Sequence, residues 1–186
     1  MQSDSKLPSV AGIVAGEPIR GSWWAHKEGR KIWEVLGEFS SLPYVLDSKL
    51  VSGKVTFVHK SIWPDFLAIC LSGEEWQTRG ISKEASLLLG KIKGGVEVDT
   101  SELRKNLGSK AAVAARELEL RMLAHARQYH TAAGFHAKKV QSWKSWADHA
   151  GISGRLPTVR ASKDRLEAIV HGLNERYDAR AKLPWE

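Results

Sequence analysis

After residue 26 apolar positions recur at helix spacing, and Ile32, Val35, Leu36 and Phe39 form one face of a helix expected over about Lys27–Phe39. Pro43 stops it, since proline removes a donor and clashes with the preceding turn. Val45-Leu46 and the run Lys49–His59 read as two strands around Ser52-Gly53, because glycine supplies the positive φ of a tight hairpin turn. Ile62–Leu71 returns to helix, with Pro64 tolerated in its first turn. The pattern is lost over Ser72–Gly80, which reads as a connector. Beyond it Ser82 caps a helix whose stripe is Ala85, Leu88, Leu89 and Ile92 and whose end is Gly94-Gly95. Val96-Glu97-Val98 is extended, and Asp99 through Glu102 fits a capping box before a brief helix that closes at Leu107-Gly108. Ser109 then caps a longer helix, about Lys110–His125, with Ala111, Ala115, Leu118 and Met122 on one side and Leu120 and Leu123 widening it. A helix, a short helix and a longer helix across a glycine turn outline a helix-turn-helix.

Leu123–Thr131 has the character of an extended segment running into the turn Ala132-Ala133-Gly134, and so of a wing. Phe135–Ala150 resumes helical spacing, with Val140, Trp143, Trp146, Ala147 and Ala150 on one side. Gly151–Pro157 interrupts it. Ser162 then caps a last amphipathic helix with the stripe Leu166, Ile169, Val170, Leu173 and Tyr177, and the tail Leu183–Glu186 either docks or frays. The expected fold class is α+β and mostly helical: two small winged-helix-like units plus a carboxy-terminal amphipathic helix. The segments are a loose start (1–20), a helix/hairpin/helix unit (21–79), a helix-turn-helix unit (80–150), and a linker with the last helix (151–186).

With 186 residues, 42% of them hydrophobic, the chain can bury a substantial core. Its single cysteine, Cys70, lies in the apolar run Phe66–Leu71 and excludes an internal disulfide; it reads as a small buried hydrophobe. The polar amino terminus, and the interruption of Leu7–Ala15 by Pro8 and Gly12, fit neither a signal peptide nor a membrane span. The expectation is a cytoplasmic protein with no membrane partner.

Charge changes the picture most. Residues 1–100 carry 12 Lys/Arg against 12 Asp/Glu, whereas 101–186 carry 16 against 9, so the whole excess of +7 lies in the second half. Clustered cations gain affinity for a polyanion by releasing its condensed counterions, which favours nucleic acid, and duplex DNA given the helix-turn-helix outline. Arg104, Lys105 and Lys110 bracket the turn between the two helices, Arg116 falls on the exposed side of the longer one, and Arg127, Lys138, Lys139 and Lys144 follow in the wing-like part. The longer helix is rich in alanine, so contact with phosphates and DNA shape is expected rather than dense hydrogen-bond readout.

Ser22-Trp23-Trp24, Ile32-Trp33, Lys49–Val55 and Ile62-Trp63-Pro64 together resemble a group of bacterial proteins associated with the AlkZ-type winged-helix DNA-repair proteins, chiefly over residues 20–72. That resemblance implies winged-helix modules acting on DNA, in repair or regulation. AlkZ-type enzymes are similar to arrays of such modules that excise damaged bases with a Gln-x-Gln or Gln-x-Asp motif. Here Gln2, Gln77, Gln128 and Gln141 are the only glutamines, none stands in such a motif, and the chain is short for a full array.

No other constellation specifies an enzyme. His125, His130, His136 and His149 lack zinc-site spacing, and no metal or cofactor is expected. Gly90–Gly95 lacks the spacing of a phosphate loop and ends a helix instead. Trp23, Trp24, Trp33 and Trp63 are expected to build core, since indoles bury large areas, with a stacking platform as the competing use. Two alternatives to DNA binding stay open. One is a protein-interaction module, homodimeric through the stripe of the last helix, whose basic face meets an acidic partner. The other is a small enzyme with a pocket around Trp23, Trp24 and His26.

Overall fold

The computed structural model describes residues 6–19, 21–131, 134 and 136–186. Ala132, Ala133 and Phe135, expected in the wing turn and at the start of the following helix, lie outside the described residues. The amino-terminal segment holds a short helix α1 (Val10–Ala15), capped by Ser9 Oγ on the Gly12 N–H and closed by Gly16 at φ 73°. A 3-10 turn at Trp23–Ala25 leads into α2 (Gly29–Ser41), then the antiparallel hairpin of β1 (Val45–Val51) and β2 (Lys54–His59), then α3 (Trp63–Cys70). Ser52 and Gly53 form the two-residue loop with φ of 51° and 66°, the left-handed pair that matches strand twist.

The stretch expected as a connector contains a one-turn helix, α4 (Glu75–Thr78), closed by a reciprocal capping box between Glu74 and Gln77. Gln77 is fully buried; its amide donates to the carbonyls of Ile69 and Arg121 and accepts from Ser72 Oγ and the Glu74 N–H. A side chain, not apolar periodicity, organises this turn, so pattern reading missed it.

Next come α5 (Lys83–Lys93), β3 (Val98–Asp99), α6 (Thr100–Leu107), α7 (Lys110–Leu120), β4 (His125–His130) and β5 (His136–Gln141). The three strands are antiparallel in the order β3-β5-β4. Helix, strand, two helices and a closing hairpin make up this unit of an α+β, mostly helical fold, and Ser82 Oγ caps α5 as expected. Four details differ from the sequence expectation. Helix α7 ends at Leu120 rather than near His125, because Met122 turns left-handed (φ 54°) and the Leu123 N–H returns to the Leu118 carbonyl. Ser109 makes no side-chain cap, and Asp99 caps α6 through the Ser101 N–H without a reciprocal glutamate. Residues 136–141 are strand, held between β3 and β4, and only Trp143–His149 is helix (α8), started by the Ser142 cap.

Helix α9 (Val159–Tyr177) is capped by Thr158, not Ser162. Ser162 is instead buried one turn inside, donating to Asp65 Oδ1 on α3, where Arg165 pairs with Oδ2 at 2.7 Å. Leu166 and Val170 of its stripe bury against the core with Phe66 and Ile69 of α3. The tail docks: the Asn174 side chain brackets Ala181 through both backbone groups, Leu183 is buried, and Ser52 and Lys182 exchange two hydrogen bonds.

Apolar side chains gather in two clusters. One joins Leu46, Leu50, Val58, Trp63 and α3 to Met122, Trp143, Ala147 and α9. The other lies inside the unit from α5 to β5, among α5, α6, α7 and its sheet. Trp143 and Ala147, assigned by sequence to the end of the second unit, therefore pack in the first cluster.

Candidate nucleic-acid interface

Helix α7 has one buried and one open side. Ala111, Ala114, Ala115 and Leu118 face α5, α6 and the sheet, where small side chains let the helices approach closely. Ser109, Lys110, Ala112, Val113 and Arg116 are exposed, and 109, 112, 113 and 116 share a face at helical spacing. Gly108 (φ 58°, ψ −139°) makes the bend between α6 and α7 that frees this face. At the far end Leu120 meets the β1–β2 loop, since a Cβ on Gly53 would stand 3.0 Å from Leu120 Cδ2. The amino-terminal half of α7 is thus its open part.

The eight cations singled out by sequence fall around this unit, in different electrostatic states. Arg104 and Lys105 sit in the last turn of α6, where cations complement the helix dipole; Arg104 is engaged in an interaction within the fold. Lys110 pairs with Glu84 at 2.7 Å, which raises its pKa and lowers that of Glu84. Lys139 pairs with Glu97 at 3.3 Å and Lys144 with Asp148 at 2.9 Å. Lys138 is tied most firmly: its ammonium pairs with Glu119 of α7, both side chains are largely buried, and its N–H donates to Thr100 Oγ1. Lys105, Arg116 and Arg127 are exposed and make no ion pair among the described residues.

Sequence reasoning passed over Lys49. It lies on β1 in the first unit, yet shares an electrostatic environment with Arg116, Lys138 and Glu119. Burial lowers its pKa, the neighbouring Lys138 and Arg116 add to that, and Glu119 opposes it. Nothing in the local sequence signals this proximity, which comes from the hairpin packing against α7.

The sheet that carries the wing is anchored by its polar side chains. Tyr129 Oη donates to Asp99, and although burial opposes it, bonds from Tyr129 and Ser101 hold the Asp99 carboxyl below its usual range. At the base of the wing, His125 is buried beside Trp143 and Trp146, with ring centroids 5.3 and 5.9 Å away. Burial pushes its pKa down, with Arg127 adding and Asp47 and Glu97 opposing, so the ring is neutral there.

The amino-terminal segment differs from expectation. Of the four indoles assigned to core, Trp63 alone is buried, donating from Nε1 to the Val58 carbonyl at 2.9 Å. Trp23 and Trp24 stack at 4.0 Å, Trp24 meets Trp33 at 5.0 Å, and Trp24 and Trp33 are about half exposed. The aromatic core comes instead from Trp63, Phe66, Trp143 and Trp146, brought together from distant stretches of chain. A surface cavity of about 440 Å³ is lined by Glu17, Pro18, Ile19, Ser22, Ala25 and His26, without Trp23 or Trp24. His26 Nδ1 accepts the Glu28 N–H and Nε2 donates to Glu17 at 3.3 Å, so both ring nitrogens are occupied.

Among the described residues no group of three or more His, Cys, Asp or Glu is placed to hold a metal, and no helix is long and apolar enough to cross a membrane. Cys70 is buried, and burial raises its thiol pKa, which suits an inert core residue. No curated protein and no solved structure matches the chain. The family described as AlkZ related matches residues 3–145, spanning α1 through the start of α8 and therefore both the hairpin unit and the whole unit from α5 to β5. That match carries a relation to DNA-repair proteins, and on its extent the chain belongs to the AlkZ-related family.

Proposed function

We propose that the chain binds duplex DNA through the unit from α5 to β5, used as a winged helix, with α7 in the major groove and the β4–β5 hairpin flanking it. The observation that carries this reading is the open amino-terminal half of α7, together with Lys105, Arg116 and Arg127 of the same unit, all exposed and without ion pairs among the described residues. Phosphate contacts supply most of the affinity, and DNA shape supplies selectivity, because the α7 face offers few long polar side chains for base edges. The remaining sequence-selected cations, Arg104, Lys110, Lys138, Lys139 and Lys144, shape the field around the site; Lys138 also holds the wing to α7. Family membership supports a role in DNA repair or regulation, and the proposed location is the cytoplasm. Of the stripe considered for dimerisation, Leu166 and Val170 are buried against the protein's own core, while Ile169 is exposed.

Binding of duplex, single-stranded and RNA oligonucleotides measured across a salt series tests the proposal. Duplex DNA should bind most tightly, with similar affinity for unrelated sequences and a logarithmic loss as salt rises. Preference for single strands or RNA, or affinity independent of salt, would overturn it.

A further inference from the structure

The open face of α7 is small and apolar where a sequence-reading helix would carry amides. At 109, 112, 113 and 116 stand Ser, Ala, Val and Arg, and Val113 is 63% exposed. No Asn or Gln is present to pair with adenine, and Arg116 alone has the fork that suits guanine. Valine gains nothing from intrinsic preference at an exposed helix position, where Lys, Glu or Gln would serve better. The major groove has one feature that rewards apolar surface, the 5-methyl group of thymine, which projects from the base edge. The flanking charge is complementary to DNA, with Lys105 and Arg116 exposed close by.

We propose that Ala112 and Val113 form a contact surface for thymine methyl groups, giving the protein a preference for T-containing major grooves by methyl burial rather than by hydrogen bonds. This rests on the reading of α7 as the groove-entering helix. It adds a base-dependent term to binding that is otherwise governed by phosphates.

Two duplexes of identical sequence, one with thymine and one with deoxyuridine throughout, differ at the groove only by that methyl. The thymine duplex should bind the wild-type protein more tightly by about fourfold for each methyl buried. Val113→Ala should weaken binding to the thymine duplex, leave the deoxyuridine duplex unchanged, and bring the ratio towards one. Val113→Thr, which keeps the β-branch and one methyl, should fall between. Replacing cytosine by 5-methylcytosine adds the same methyl with unchanged base pairing; it should tighten binding for the wild type and not for Val113→Ala. Arg127→Ala should weaken all duplexes alike and keep the ratio. Equal wild-type affinities for thymine and deoxyuridine duplexes, or a ratio that survives Val113→Ala, overturn the methyl contact. If binding then still weakens in Arg127→Ala, the DNA-binding reading stands and only this inference falls. If the wild type binds neither duplex, both fall together.

Discussion

If the unit from α5 to β5 binds DNA as proposed, replacing Lys105, Arg116 and Arg127 one at a time by alanine measures how many phosphates it contacts. All three are exposed and without ion pairs among the described residues, so their removal changes charge while leaving packing intact. Each phosphate neutralised contributes about 0.9 to the slope of log affinity against log salt, so three contacts give a slope of about −2.7. Between 50 and 200 mM salt that amounts to a loss of roughly 40-fold, and each single variant should cut it to roughly 12-fold. Lys138→Ala should behave differently. Its ammonium pairs with Glu119, whose side chain is only 12% exposed, so the variant leaves a largely buried carboxylate without its partner. The cost, about 1–3 kcal/mol, falls on stability rather than on the salt slope. Fluorescence anisotropy with two unrelated labelled duplexes, run beside urea titrations, separates the two effects. Unchanged slopes for the three exposed cations together with a flattened slope for Lys138→Ala would refute the assignment.

Three other outcomes follow from the same packing. Trp63→Ala should cost about 3–5 kcal/mol through lost burial and a cavity, whereas Trp24→Ala, at a residue 54% exposed, should stay within about 1 kcal/mol in the same urea titration; equal losses would contradict the placement of the aromatic core. Because burial holds the His125 pKa below its ordinary value, the unfolded chain takes up that proton first as pH falls through about 6.5. Stability present above that pH is therefore lost below it, and His125→Gln should flatten the acid limb of a pH–stability curve if this ring is its source. Finally, trypsin should cut after Arg155, in an exposed linker, before Arg79, whose carbonyl accepts Arg121 Nη1 at 2.9 Å; a first nick at Arg79 would favour the independent 21–79 and 80–150 units that the sequence suggests.

Elements whose signals are local were legible in the sequence. The Ser52-Gly53 turn, the Ser82 cap and the stripe Ala85, Leu88, Leu89, Ile92 each depend on neighbours within a turn or two. The second strand of the wing was not legible, because Val140, Trp143, Trp146 and Ala147 satisfy a helical period across a strand–helix junction. Val140 belongs to the sheet and the other three to α8, and the break between them is made by Ser142 and by pairing with β3 and β4. Ser162 misled for a related reason. A serine before an apolar stripe suggests a cap, but its hydroxyl is engaged by Asp65, a residue remote in sequence.

The same distinction governs the site. Counting Lys and Arg locates the more basic half of the chain, because net charge is additive along it. Which of those cations reaches solvent unpaired depends on where Glu84, Glu97, Glu119 and Asp148 come to lie. The Lys144–Asp148 pair has helical i,i+4 spacing and could be read directly, whereas Lys110–Glu84 and Lys138–Glu119 exist only once α7 has packed against α5 and the wing. Lys49 shows the converse: a residue from the charge-balanced half comes into the electrostatic neighbourhood of Arg116 and Lys138 because the β1–β2 hairpin lies against α7, and the docked tail, through Ser52 and Lys182, holds that hairpin. Charge composition therefore finds the basic half of the chain, while the arrangement of free and paired cations on it is a property of tertiary packing.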